Sequence, residues 1–246
     1  MRTIALVLLS LLFPFAVGAA SVEEDVQRNI MMFKGDTITH PVIAEALGWT
    51  GLSDPRLFDV IEQRLLKDYP APADNRLEKQ RLAWYIRALG FSGDAKYLPT
   101  INRFLAYRDT AVYSKHALVD MPDYQKWNPV ISNRASFDPK MSDYENRVVN
   151  MLRGSDFSLK RLGAKRIHYE TMRNEQVLDV LAEELRAGYP KAAMDKNSDP
   201  VAWMVRALGA AKQEKYKPLL REVLANTTVP AVQGHARQAV DNYARR

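Results

Sequence analysis

In the stretch Leu82–Leu89, apolar residues recur at Leu82, Tyr85, Ile86 and Leu89. That i, i+3, i+4, i+7 spacing is the stripe of an amphipathic α-helix. Val201, Met204, Val205 and Leu208 repeat it 119 residues later. Read this way, the chain predicts helices at 22–34 with 39–50, 55–68 with 77–90, and 94–107 with 110–121. A second set follows at 143–153 with 159–172, 174–187 with 196–209, and 212–225 with 230–244. No segment alternates at period two for long enough to predict a strand. Asp54-Pro55 and Asp199-Pro200 are expected helix starts, a capping side chain followed by proline at the first helical position. Gly90 and Gly209 are expected stops, because glycine enters the left-handed region without steric cost.

The two sets are copies. Leu82–Pro99 and Val201–Pro218 share nine of eighteen residues, including Ala-Trp and Arg-Ala-Leu-Gly. Upstream, Leu57–Pro70 lies over Val177–Pro190 with Asp, Val, Leu, Tyr and Pro shared. Met31 then falls on Met151 and Asp36 on Asp156. Downstream, His116-Ala117 falls on His235-Ala236. These matches divide the chain into a three-repeat unit at 21–121 and a second at 143–246. Between them, 122–142 is rich in Pro, Asp, Asn and Ser and reads as a linker or long loop.

Residues 1–20 carry one Arg, an apolar run from Ile4 to Val17, and small residues up to Ala20. That layout predicts a cleaved secretory signal, since the run is too short to span a bilayer. An exported chain with no cysteine fits a periplasm, without a lipid-bearing Cys or disulfides. Without Arg2 the formal net charge falls from +6 to +5, which suggests an acidic partner. Export disfavours nucleic acid, and no later segment is apolar enough to span a membrane.

Two stretches carry a further resemblance: EALGWTGLSDPRLFDVI at 45–61 and IRALGFSGDAKYLPTI at 86–101. Both are similar to the HEAT repeat, particularly its phycobilin-lyase type, in which Ala-Leu-Gly is followed by Asp and an apolar helix. The similarity covers nearly all of the chain after the leader. It is strong in the second repeat of each copy and weaker in the first and third. The first repeat departs by two extra residues, Gly51 and Leu52, before its Asp-Pro. The resemblance implies an all-α, right-handed α–α superhelix, a HEAT-like solenoid of about six helix pairs whose second helices line a concave face. Some HEAT proteins hydroxylate a protein side chain with iron held by His-Glu dipeptides. Here His40, His116, His168 and His235 precede Pro, Ala, Tyr and Ala, so those ligand pairs are missing. HEAT-type DNA glycosylases and phycobilin lyases both sit poorly with export.

No motif for a nucleophile, a metal or a phosphate cradle occurs, and no metal or cofactor is expected. His116 and His235 are expected to fill one repeated structural niche. A general base at His168 lacks any partner in the sequence. Trp84 with Arg87, and Trp203 with Arg206, each lie at i, i+3 on one helix face. They offer an aromatic–cation patch, though joints between repeats explain them better. The second helices are net positive while the first helices are not. A basic concave surface is therefore expected from Lys160, Arg161, Lys165 and Arg166, with Arg81, Lys115 and Arg237 contributing. Together these readings describe a periplasmic, non-catalytic scaffold or adaptor that binds a protein or peptide. The alternative is a module for polyanions, glycan or lipid phosphate, held in a basic groove.

Overall fold

The computed structural model describes residues 21–69, 75–194 and 196–244. The expected signal segment lies outside the described residues, as does Pro70. Twelve α-helices and short 3-10 turns make up the secondary structure of the described residues, with no strand among them. In the first unit α1 (Val22–Lys34) pairs with α2 (His40–Ala46), and α3 (Pro55–Asp68) with α4 (Arg76–Phe91). The third pair is α5 (Leu98–Arg103) with α6 (Ala111–Ile131). The second unit holds α7 (Asp143–Arg153) with α8 (Phe157–Tyr169), α9 (Glu175–Gly188) with α10 (Ser198–Ala211), and α11 (Lys217–Asn226) with α12 (Pro230–Ala244). Within each unit the second helices pack side by side in one row: α4 touches α2 and α6, and α10 touches α8 and α12. First helices form the other row, through α1 with α3 and α7 with α9. The chain is an all-α solenoid of paired helices.

Local chemistry explains most boundaries. Asp54 caps α3 by accepting from the Arg56 N–H, with Pro55 at the first position, as expected. Asp199 does not cap α10, which begins one residue earlier at Ser198. Nor do Gly90 and Gly209 end their helices, and the close packing of neighbouring helices is the reason they are glycine. A Cβ on Gly90 would stand 2.7 Å from the Ala117 Cα, and one on Gly209 would stand 2.5 Å from the Ala239 Cβ. The left-handed turn comes three residues later, at Gly93 with φ +69°. Its counterpart in the second copy is Lys212, φ 54°. The two copies thus share the backbone conformation, though only the first places there the residue best suited to it.

The expected linker at 122–142 is a correction. Its first ten residues continue α6, a helix of 21 residues about 31 Å long at 1.5 Å per residue. Pro122 and Pro129 lie inside it, each removing one ladder hydrogen bond. They are tolerated because Tyr124, Trp127, Asn128 and Ile131 form a buried stripe that holds the segment down. The Tyr124 hydroxyl donates to the Gly48 carbonyl at 2.8 Å, and Asn128 Nδ2 donates to the Phe91 and Ser92 carbonyls. The inserted Gly51 explains itself here. At φ +71°, its missing Cβ leaves room for Ile131 and the Ser132 backbone, both within 2.8 Å of where it would stand.

This extension brings the fourth helix pair against the first. Asp25 of α1 is buried and accepts from Arg134 at 2.6 Å and from Arg147 of α7. Trp127 Nε1 donates to Asp156 Oδ2 at 2.9 Å, and the Arg166 guanidinium lies 3.9 Å from the Trp49 ring centre. Each unit has its own apolar core, but Met151 and Leu159 of the second unit belong to the first unit's core.

Candidate functional site

Where α4, α6, α8 and α10 converge, the two units enclose a cleft of about 590 Å³. Helix α4 contributes Arg87, and α6 contributes Asp120, Asp123, Tyr124 and Trp127. Helix α8 adds Arg161 and Lys165, while Lys196 and Asp199 stand at the start of α10. Arg87 is tied to Asp120 at 2.6 Å and lies over the Phe91 ring, its guanidinium 5.0 Å from the centre. Arg161 pairs with Asp199. Lys165 forms no ion pair among the described residues. Its ammonium stands 5.2 Å from the Trp203 ring centre. Burial, reinforced by Arg161 and Arg166, holds this lysine below the usual range. Asp123 moves the other way: burial, then the neighbouring Asp156 charge, pushes its carboxyl up. One cleft therefore holds an amine that releases its proton more readily than usual and a carboxyl that releases its own less readily.

Six of the expected basic residues lie elsewhere or are already engaged. Lys160 is only 7% exposed, and its Nζ donates to the Leu152 carbonyl and to Glu184 of α9, each at 2.5 Å. It begins the buried stripe that continues through Gly163, Ala164 and Ile167, so it points away from the cleft. Arg166 is mostly buried between the units, stacked on Trp49 and 3.5 Å from Glu170. Arg81 is half-buried and pairs with Asp68 at 3.0 Å. Arg87 lines the cleft but is neutralised by Asp120. Lys115 and Arg237 are exposed outside both clefts. Of the basic helix at 160–166, only Arg161 and Lys165 reach the inner surface. With His168 they fall at i, i+4, i+7 on one helix face. Because Asp120, Asp123 and Asp199 share the cleft, its lining is mixed in charge rather than uniformly basic.

The two Trp–Arg pairs have diverged. Trp84 is half-buried against the first core. Trp203 is half-buried against the second core, and the Arg206 guanidinium lies 4.6 Å from its ring centre. Lys165 and Arg206 thus both lie against the one indole. On the Arg206 side lies a second cleft, of about 370 Å³, between α8, α10 and α12, lined by His168, Arg206, His235, Gln238 and Asn242. Burial first, then Arg206, pushes the His168 imidazole below its ordinary value. The shared niche expected for the duplicated histidines is corrected: His116 is exposed, whereas His235 lines this cleft. His40 is the satisfied core histidine, bonded to the Tyr85 hydroxyl and, at 3.2 Å, to the Met32 carbonyl. No group of three or more His, Cys, Asp or Glu able to hold a metal ion occurs among the described residues.

Sequence reasoning missed Asp120, Asp123 and Lys196 in the first cleft, and Gln238 and Asn242 in the second. The spacing of Tyr124, Trp127, Asn128 and Ile131 at i, i+3, i+4, i+7 is a signal that could have placed α6 and its two aspartates.

No protein-family model matches the chain, and no curated protein sequence matches it. A solved structure of human deoxyhypusine hydroxylase in complex with glycerol is similar over 91% of this chain and 85% of that one, at 15% identity and a TM-score of 0.38. The expectation of a chain without catalysis gains no support from this comparison, since the similar structure is that of an enzyme. At that level of similarity the match assigns neither a reaction nor a substrate.

Proposed function

We propose that the chain is an exported, HEAT-like repeat protein of the cell envelope that binds a polypeptide in the cleft between its two units. One observation carries this reading: Lys165, Lys196, Asp123 and the Tyr124–Trp127 edge line a single cleft. The lining sets Lys165 and Lys196 beside Asp123 and the internal pairs Arg87–Asp120 and Arg161–Asp199, so it offers a polyanion no uniformly basic track. A polypeptide offers both charges and apolar side chains, and matches such a lining. The leader-like residues 1–20 support export, and no helix among the described residues is long and apolar enough to cross a membrane.

A photo-crosslinking residue at Ser198, which lines the cleft, tests the proposal against one at Glu183, exposed on α9. Envelope extracts of cells expressing each variant are irradiated at low and at high salt, and the covalent adducts are then separated under denaturing conditions. Polypeptide adducts from Ser198, absent from Glu183 and formed at high salt as at low, are expected. Equal adducts from both positions overturn the proposal. Salt-sensitive adducts of glycan or phospholipid alone transfer the function to the polyanion alternative.

A further inference from the structure

We propose that the cleft between α8, α10 and α12 is a binding site for a small, singly charged carboxylate, independent of what occupies the first cleft. The argument starts from a comparison of the two copies. In the first, Arg87 is neutralised within the chain, by Asp120 and by stacking on Phe91. In the second copy the equivalent arginine is Arg206, and the positions of Phe91, Asp120 and Asp123 are held by Ala210, Ala239 and Asn242. The second copy therefore has the cation without either neighbouring carboxylate or the ring. Arg206 forms no ion pair among the described residues, and the space left behind is the second cleft.

The groups that remain all suit an anion. Arg206 presents a planar fork of donors that matches a carboxylate in two-point fashion, and its contact with Trp203 orients that plane. His168 Nδ1 is buried with no hydrogen-bond partner. A buried polar atom without a partner carries a cost that a ligand can relieve. Gln238 and Asn242 add amide donors from α12, and no carboxylate lines the cleft among the described residues. With Arg206 as the one formal cation among the described residues of this lining, the charge matches one carboxylate rather than a doubly charged phosphate. A volume of about 370 Å³ leaves room for an organic acid's carbon frame, at the lower end of small-molecule pockets, roughly 300–1,000 Å³.

Ring-proton NMR on the full chain reads this directly, because its four histidines report on separate places. The probes are N-acetyl-alanine, its neutral C-terminal amide, and inorganic phosphate, all at one fixed pH. The expected result is a saturable shift of the His168 and His235 signals with N-acetyl-alanine, while His40 and His116 stay still. The amide moves none, and phosphate binds more weakly than the carboxylate. Arg206→Gln weakens the carboxylate at least tenfold with the His40 signal unmoved, which keeps the fold under observation. Asn242→Asp, which restores the first copy's acid, weakens it as well. The assignment is overturned by equal shifts of all four histidines, by no shift, by tighter phosphate binding, or by unchanged affinity in Arg206→Gln.

Discussion

The Asp25 carboxylate accepts from Arg134 at 2.6 Å, joining residues 109 positions apart in the chain. Arg147 and Arg28 approach the same carboxylate, whose side chain is 6% exposed. It is the polar fastening between α1 and the start of the second unit. Asp25→Asn leaves half-buried Arg147 without a counter-charge and Arg134 with Asp143 alone, 2.7 Å from its guanidinium. Losing one partner of a buried pair costs about 3–5 kcal/mol. Urea unfolding is expected to show a loss of that order, and a change within error would show that the fastening lies elsewhere.

The glycines of the inner row separate packing from backbone freedom. Gly90→Ala drives a methyl into the Ala117 backbone and should cost about 1–3 kcal/mol. Gly234, within α12, has nothing within 4 Å of where a methyl would stand, so Gly234→Ala should stabilise by up to about 1 kcal/mol. Midpoints of thermal unfolding moving in opposite directions are the expected outcome.

Gly93 and Lys212 share a left-handed backbone, but the cost falls on one of them only. Lys212→Gly should stabilise by about 1 kcal/mol by relieving the side chain's clash with its own backbone. Gly93→Ala should destabilise by more than that, since its Cβ would also stand 2.5 Å from the Gln125 nitrogen. If Lys212→Gly instead destabilises, the lysine is held by interactions that outweigh its strain.

Burial, then the charges of Arg64 and Arg81, holds the His40 imidazole below its ordinary value of 6.5, against the opposing effect of its hydrogen bond to the Met32 carbonyl. The unfolded chain therefore takes up a proton before the folded one as pH falls. Stability from this group is complete above about pH 6.5 and is lost as pH drops towards the folded value. Unfolding midpoints at about pH 7.5 and about pH 5.5 should differ in the native chain, and differ less in His40→Gln. An unchanged difference in the variant would assign the acid sensitivity to other groups.

The helical stripes, the Asp54 cap and the duplication were legible because each is a local or internally repeated pattern. The α6 extension was not, since Pro122 and Pro129 are read as breaks unless tertiary contacts override them. Charge was legible as a sum but not as a direction. Lys160 and Arg161 are adjacent letters, yet one enters the α7–α9 side and the other the inner cleft, because successive helical residues turn by about 100°. The second cleft depends on a difference between copies. Asp120 against Ala239 is visible when the copies are overlaid, but its meaning required knowing that Asp120 neutralises Arg87.

Met31 and Met151 are one inherited position with two fates. The first is 67% exposed on α1, while the second is fully buried in the core of the other unit. The border of the duplicated text and the border of the folded body therefore do not coincide. Met151 serves as mortar in the first unit's core, so a substitution there is felt by both halves of the chain.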